Sequence, residues 1–134
     1  MAESKVDKAL QQLFKRSVVE KPLWENASPA SSFPPQEIKL GLSRYDAVDV
    51  YTNSSKLTEG SKNISKFRCL IGKKTTLIPQ VYYPRTRSVE ATAAGVTFGV
   101  GQDTNMKTLV TTDENGVAIP VKICGVILSG GGAV

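Results

Sequence analysis

The chain contains no histidine among its 134 residues, and this absence excludes several classes of function. A Ser-His-Asp or Cys-His catalytic site needs an imidazole, and so does a histidine-ligated metal site. The commonest general base near neutral pH is missing as well. Carboxylate-only chemistry remains open, because glycoside hydrolysis needs only two acids.

Cysteines and long apolar runs are also scarce. Cys69 and Cys124 form neither a CxxC pair nor a metal-ligand spacing, so we expect two free buried thiols, with a disulfide as the alternative. No run of about 18 apolar residues occurs, and the N-terminus lacks the apolar core of a signal peptide. We therefore expect no membrane insertion. We expect the chain to be synthesised in a cytoplasm and not to be exported by the Sec pathway.

Residues 1–18 are predicted to form a short amphipathic helix. Val6, Leu10, Leu13 and Phe14 fall at i, i+4, i+7 and i+8, which gives a single apolar stripe. A helix of about four turns is marginal alone in water, so it needs a partner surface. That surface can be its own domain, further copies in an oligomer, or another protein. We predict that the stripe is an anchor for assembly.

Residues 19–36 are predicted to form a proline- and serine-rich tether. Four prolines in this stretch exclude a helix and a central strand, and the composition favours an extended chain. Trp24 and Phe33 lie within it, and two large aromatic residues are unusual in a free linker. We expect both to dock on the following domain and to belong to the anchor.

Residues 37–128 change to short segments in which apolar and polar residues alternate, separated by turn signals. Val96, Phe98 and Val100 are one example, preceded by a hairpin turn at Ala94-Gly95. This pattern predicts an all-β fold, an antiparallel β-sandwich or jelly-roll-like domain. The glycine-rich residues 129–134 are predicted to be a flexible tail.

Two polar segments of this domain bear on binding. The first, with Asp103, Asn105 and Asp113, is predicted to be a loop that has too few oxygen ligands for Ca²⁺, so we predict no metal or cofactor site. The second, residues 56–74, holds six basic residues against one acid. It suits nucleic acid or an anionic polysaccharide, or else a solvated strand face whose lysines protect a sheet edge. Its one aromatic residue, Phe67, is predicted to face inward. This argues against nucleic-acid binding, because bases stack on exposed aromatic rings.

Tyr82, Tyr83, Arg85 and Arg87 form a candidate surface-binding or interface site. Tyrosine rings and guanidinium groups suit sugar binding by stacking and hydrogen bonds, and they suit a subunit interface equally well. A plain packed strand end remains a third interpretation.

Three stretches in order, LWENASPASSFPPQEIKLGLSRYDAVDVY, VEATAAGVTFGVG and AIPVKICGVIL, resemble a small β-domain found near the C-terminal ends of tailed-phage fibre, baseplate and other virion proteins. The resemblance covers roughly residues 23–128. It rests on a Trp-Asn-Pro-Ser-Phe opening, a Leu-Ser-x-Tyr-Asp strand and a closing Ile-Pro-x-x-Ile-x-Gly strand. In this sequence the matching residues are Trp24, Asn26, Pro29, Ser32 and Phe33; Leu42, Ser43, Tyr45 and Asp46; and Ile119, Pro120, Ile123 and Gly125.

The resemblance implies a virion protein, assembled in the host cytoplasm, that forms dimers or trimers with itself. Its partners would be other virion proteins of a capsid, a tail or a longer fibre, and a host-surface glycan is a candidate ligand. Such domains usually end a long fibre chain, whereas only 22 residues precede the match here. If the chain is complete, we expect a stub whose helix inserts into the larger structure.

The sequence therefore predicts a non-enzymatic short fibre, spike or decoration protein. One alternative is a nucleic-acid- or adaptor-binding module that uses residues 56–74. Another is a carboxylate-based glycan hydrolase, which would require Asp46, Asp49, Glu90 and Asp103 to converge in one cleft.

Overall fold

The computed structural model describes residues 18–57, 63–82 and 84–128. These residues form nine β-strands and no helix, in two antiparallel sheets consistent with a β-sandwich, which confirms the all-β prediction. None of them belongs to a helix that is long and apolar enough to cross a membrane. The predicted N-terminal helix with Val6, Leu10, Leu13 and Phe14, the predicted tail and Tyr83 lie outside the described residues.

Nine strands follow one another along the chain, most of them short. In order they are β1 (Val18–Glu25), β2 (Gln36–Lys39), β3 (Ala47–Ser55), β4 (Ile64–Leu70), β5 (Lys74–Gln80), β6 (Arg85–Thr92), β7 (Gly95–Asn105), β8 (Val110–Asp113) and β9 (Val117–Leu128).

The strands divide into sheet A, in the order β1-β9-β3-β4, and sheet B, in the order β2-β7-β6-β5. The short strand β8 also belongs to sheet B, where it pairs with the last residues of β7. The predicted hairpin at Ala94-Gly95 joins β6 to β7. Gly95 has a φ of 150° there, and an added Cβ would lie 2.3 Å from the carbonyl oxygen of Ile38, so this position requires glycine.

The core lies between the inner faces of the two sheets. Val48 and Val50 of β3 point into it, as their alternation predicts, and Phe98 of β7 meets them from sheet B. Phe33 is buried against the Phe98 ring at 5.4 Å between centroids, and Trp24 packs edge-on against Phe33 at 6.1 Å. Both aromatic residues therefore dock on the β-domain, as their position in the sequence suggested.

The predicted tether is more ordered than its composition indicated. Its first residues form β1, an edge strand of sheet A, where the register shifts between Pro22 and Trp24. An edge strand with a bulge accommodates a proline, which lacks the N–H that a central strand needs. The following segment is held to the domain by backbone hydrogen bonds, including that from Phe33 N to Asn115 O at 2.9 Å.

Cys69 and Cys124 are both buried and free. Cys69 lies opposite Val48 and Cys124 opposite Asp49, and because Val48 and Asp49 are neighbours on β3, the two thiols lie on opposite faces of sheet A. Burial raises the pKa of the Cys69 thiol to about 11. The disulfide alternative is therefore wrong for this fold.

The strands define two ends of the domain. At the base end, Val18 pairs with Leu128, and the Leu128 N–H donates to Asp46 at 2.8 Å. The β4–β5 turn lies there too, since Gly72 N donates to Ala91 O at 2.6 Å. From this end β7 runs away to Asn105, so the β5–β6 turn and the β7–β8 hairpin lie at the opposite, tip end.

Candidate binding surface at the tip end

The inner face of sheet B continues past the core at the tip end. Val89, Arg87 and Arg85 alternate along β6 and share this face. Arg85 lies opposite Asp103, which lies opposite Thr112 of β8. We call this region the overhang; its inner-face residues are Arg85, Asp103, Asn105, Val110 and Thr112.

An open groove of about 570 Å³ lies at the overhang. Every residue that lines it belongs to β6, to β7, to β8 or to the β7–β8 loop, and none belongs to sheet A. Arg85 Nε lies 3.8 Å from Asp103 Oδ1, which is too long for a hydrogen bond, and Nε has no hydrogen-bond partner. The groove therefore offers a guanidinium, a carboxylate and several hydroxyl groups to a polar ligand.

The β7–β8 hairpin ends in a four-residue loop organised by Asn105. The Asn105 side-chain oxygen accepts hydrogen bonds from the backbone N–H groups of Lys107 and Thr108, at 2.8 and 3.2 Å. Leu109 closes the loop with a φ of 58°, a conformation that leucine rarely adopts. Its side chain is nevertheless 72% exposed. Because a strained backbone holds this apolar side chain in solvent, we interpret the Leu109 side chain as a functional contact residue.

The β5–β6 turn adds a second exposed apolar group at this end. Val81 and Tyr82 are each 77% exposed, and the Thr104 N–H donates to Pro84 O at 3.0 Å, which fixes the turn beside β7. Tyrosine and methionine side chains are enriched in contact surfaces, and exposed apolar patches often mark such surfaces. The large exposed apolar residues at the tip end are Val81, Tyr82, Met106, Leu109 and Val110.

The structure separates the predicted site residues. Tyr82 and Arg85 lie at the tip end, but Arg87 is only 1% exposed and takes no part in a surface site. The prediction for Arg87 was wrong because the inner face of β6 is covered at Arg87 and open at Arg85. Alternation with the core residue Val89 places both arginines on the inner face of β6, but nothing in the sequence shows which of them is covered.

Arg87 connects the two sheets. Its guanidinium donates to the carbonyl oxygens of Gly99 at 2.7 Å, Ala118 at 2.8 Å and Val117 at 3.0 Å. It also lies 5.3 Å from the centre of the Phe33 ring. Burial lowers the pKa of Arg87 to about 10, so the side chain keeps its charge at pH 7. Its role is structural, because backbone carbonyl groups take up its hydrogen bonds.

The four acids considered for hydrolysis do not converge. Asp46 lies at the base end, and Asp103 lines the groove at the overhang. Asp49 lies on the outer face of sheet A, and Glu90 lies on sheet B opposite Thr97. No two of them face each other across a cleft in the described part of the chain.

The basic stretch 56–74 is divided by the fold. Arg68 makes a bidentate contact with the buried Asp49 at 2.9 and 3.0 Å, and Lys66 lies 3.8 Å from the same carboxylate. Lys73 and Lys74 follow at the base end, by the β4–β5 turn. Phe67 packs against the core, as predicted. Two of the described basic residues of this stretch, Lys66 and Arg68, therefore have a carboxylate of the domain as partner.

Comparisons of the chain with protein-family models, with curated proteins and with solved structures found no match. The role of the groove at the overhang is therefore inferred from the residues that line it and from its place in the fold.

Proposed function

We propose that this chain is a non-enzymatic structural protein of a phage virion, a short fibre, spike or decoration protein. In this proposal the N-terminal helix inserts into a capsid, a tail or a longer fibre. The jelly-roll-like β-domain then presents its tip end to another surface. The sequence resemblance to virion β-domains and the arrangement of the domain's two ends support it.

The observation that carries the proposal is the separation of the two ends. Val18, through which the predicted anchor segment joins the domain, lies at the base end beside Leu128. The exposed Tyr82 and Leu109 side chains and the groove lie at the other end. A domain that is attached at one end and exposes contact residues at the other is suited to project from a larger particle.

The groove indicates the kind of contact. Arg85, Asp103 and the threonine hydroxyl groups that line it suit a ligand rich in hydroxyl groups. Tyr82 does not line the groove, but it is exposed on the β5–β6 turn at the same end and offers a ring for stacking. A host-surface glycan fits this chemistry. Many copies on one particle would convert weak individual contacts into strong attachment.

Two variants of the full chain test the proposal, and each serves as the control for the other. The first lacks residues 2–17, and the second carries Tyr82→Ser with Leu109→Asn, since asparagine tolerates a positive φ. The particle to use is the one with which the intact protein co-sediments. We expect the first variant to lose co-sedimentation with that particle. We expect the second to keep it while the particle's adsorption to its target surface falls several-fold.

The reverse outcome would contradict the proposal. Full occupancy of the particle by the variant without residues 2–17 would exclude the N-terminal anchor. Unchanged adsorption of particles that carry the Tyr82→Ser, Leu109→Asn variant would exclude the tip end as the contact surface.

A further inference from the structure

The described sheet edges differ in how they are protected against pairing with another chain. Natural edge strands carry proline, lysine or a bulge for this purpose. Edge strand β1 contains Pro22 and a register shift, and edge strand β5 contains Pro79 and a register shift between Leu77 and Gln80. Edge strand β4 carries Lys66 and Arg68. These three edges are therefore unsuited to strand addition.

Strand β8 has no proline, lysine or bulge, although it is as short as β2, the remaining edge strand, which ends at Lys39. Its four residues, Val110 to Asp113, contain no proline and no lysine, and all four are exposed. Among the described strands it pairs only with β7, so its second edge is open. Valine and threonine favour extended strands, and Val110 is 55% exposed.

The charges that flank β8 are self-complementary. Lys107 precedes the strand, and Asp113 and Glu114 end it, all three of them exposed. If two copies of β8 lie antiparallel, the Lys107 end of one copy meets the Asp113–Glu114 end of the other, and the same contact occurs twice about the twofold axis. Each pair of opposite charges then favours association, whereas parallel strands would place like charges together.

We propose that β8 is the edge through which two copies of this chain pair, antiparallel and with twofold symmetry. The pairing joins the two β7–β8 hairpins into one four-stranded ribbon and brings Val110 of each copy to the junction. Because β8 runs from the tip end towards the base end, antiparallel pairing points the two base ends in opposite directions. The pairing is therefore proposed for copies that are not both anchored by their base ends to one surface.

The first test measures the mass of the isolated full-length chain by sedimentation velocity over a range of micromolar concentrations. We expect a concentration-dependent monomer–dimer equilibrium. Thr111→Lys places a lysine on the open edge and should raise the dissociation constant at least about ten-fold, which corresponds to one lost contact of about 1.4 kcal/mol.

Thr97→Lys is the matched control, because Thr97 is exposed on β7 away from β8 and the change in net charge is the same. It should leave the dissociation constant unchanged. A wild-type chain that stays monomeric at all concentrations would overturn the proposal. So would dimers that Thr111→Lys and Thr97→Lys weaken equally.

Charge reversal gives the second test. Lys107→Glu alone, and Asp113→Lys together with Glu114→Lys, should each weaken the dimer several-fold, because each places like charges together at both ends of the junction. The three changes in one chain restore opposite charges and should recover most of the lost affinity. Failure of the triple variant to recover affinity would exclude the antiparallel pairing. Because the assay uses the isolated chain, its failure leaves the virion proposal intact, and the reverse also holds.

Discussion

Two arginines on one face of strand β6 show how coverage decides the role of a residue. Arg87 is buried, and its guanidinium donates hydrogen bonds to four backbone carbonyl groups. Arg85, two residues before it on the same face, lines an open groove and lies 3.8 Å from Asp103 without a hydrogen bond. Both residues are arginines on the same strand, and they differ in what lies opposite them. Residues of β9 in sheet A contact Arg87, whereas no residue of sheet A lines the groove at Arg85.

The contrast separates a structural part of sheet B from a part available for binding. Beneath sheet A, the inner face holds the core side chains of Val89 and Phe98 and the Arg87 contacts. In the overhang, the same face holds side chains that can still change partners. We therefore expect substitutions in the covered part to alter stability and substitutions in the overhang to alter binding.

The largest effect is expected for Arg87→Leu, which removes the donor from four backbone carbonyl groups, two of them in buried hydrogen bonds. Each unsatisfied group costs about 1–3 kcal/mol, and the new leucine offsets part of the loss, so the free energy of unfolding should fall by about 3–4 kcal/mol. Urea denaturation measures this change.

Arg85→Leu is the matched control on the same strand and should lower the free energy of unfolding by less than about 0.5 kcal/mol. Equal losses for the two variants would break the distinction between the covered part and the overhang.

An intermediate effect is expected for Phe33→Leu. The substitution removes the edge-on ring contact with Phe98 and the ring face beneath the Arg87 guanidinium. The free energy of unfolding should fall by about 1.5 kcal/mol. Combined with Arg87→Leu in a double-mutant cycle, the two losses should not add, because the side chains are in contact. Strict additivity would show that the Phe33 ring supports the core independently of Arg87.

The smallest effect, opposite in sign, is expected at the tip. Leu109→Gly relieves the positive φ of the hairpin loop, and the gain outweighs the greater freedom of glycine in the unfolded chain by about 0.5 kcal/mol. Leu109→Ala removes most of the side chain but keeps the φ penalty, so it should leave stability unchanged in the same denaturation assay. Destabilisation by Leu109→Gly would mean that the leucine side chain stabilises the hairpin.

Local patterns in the sequence predicted much of the fold. The alternation of Val96 and Phe98 gave the correct face for the first part of β7, whereas Val100 lies at the register shift with β6 and is not a core residue. Such alternation depends on neighbours along the chain. The hairpin of β7 and β8 was missed and assigned to a loop, because its polar residues are exposed on both faces and lack an apolar pattern.

The candidate site was harder to predict, because it depends on where one sheet ends relative to the other. Tyr82 and Arg85 could be selected by residue type, but nothing local distinguished the open Arg85 from the covered Arg87. Residues 18–25 were not predicted to form a strand because they contain Pro22. The proline is tolerated there because β1 lies at the edge of its sheet.

The pairing of β1 with β9 also determines how the domain would carry a mechanical load. β1 runs from the base end towards the tip end, and seven residue pairs join it to β9. A pull on the N-terminal segment against a contact at the tip acts along the strand axis, so all seven pairs are loaded in shear at the same time. A pull across the sheet would instead open them one after another. The orientation of this single edge strand therefore makes its pairing with β9 more resistant to a pull along the strands than to a pull across them.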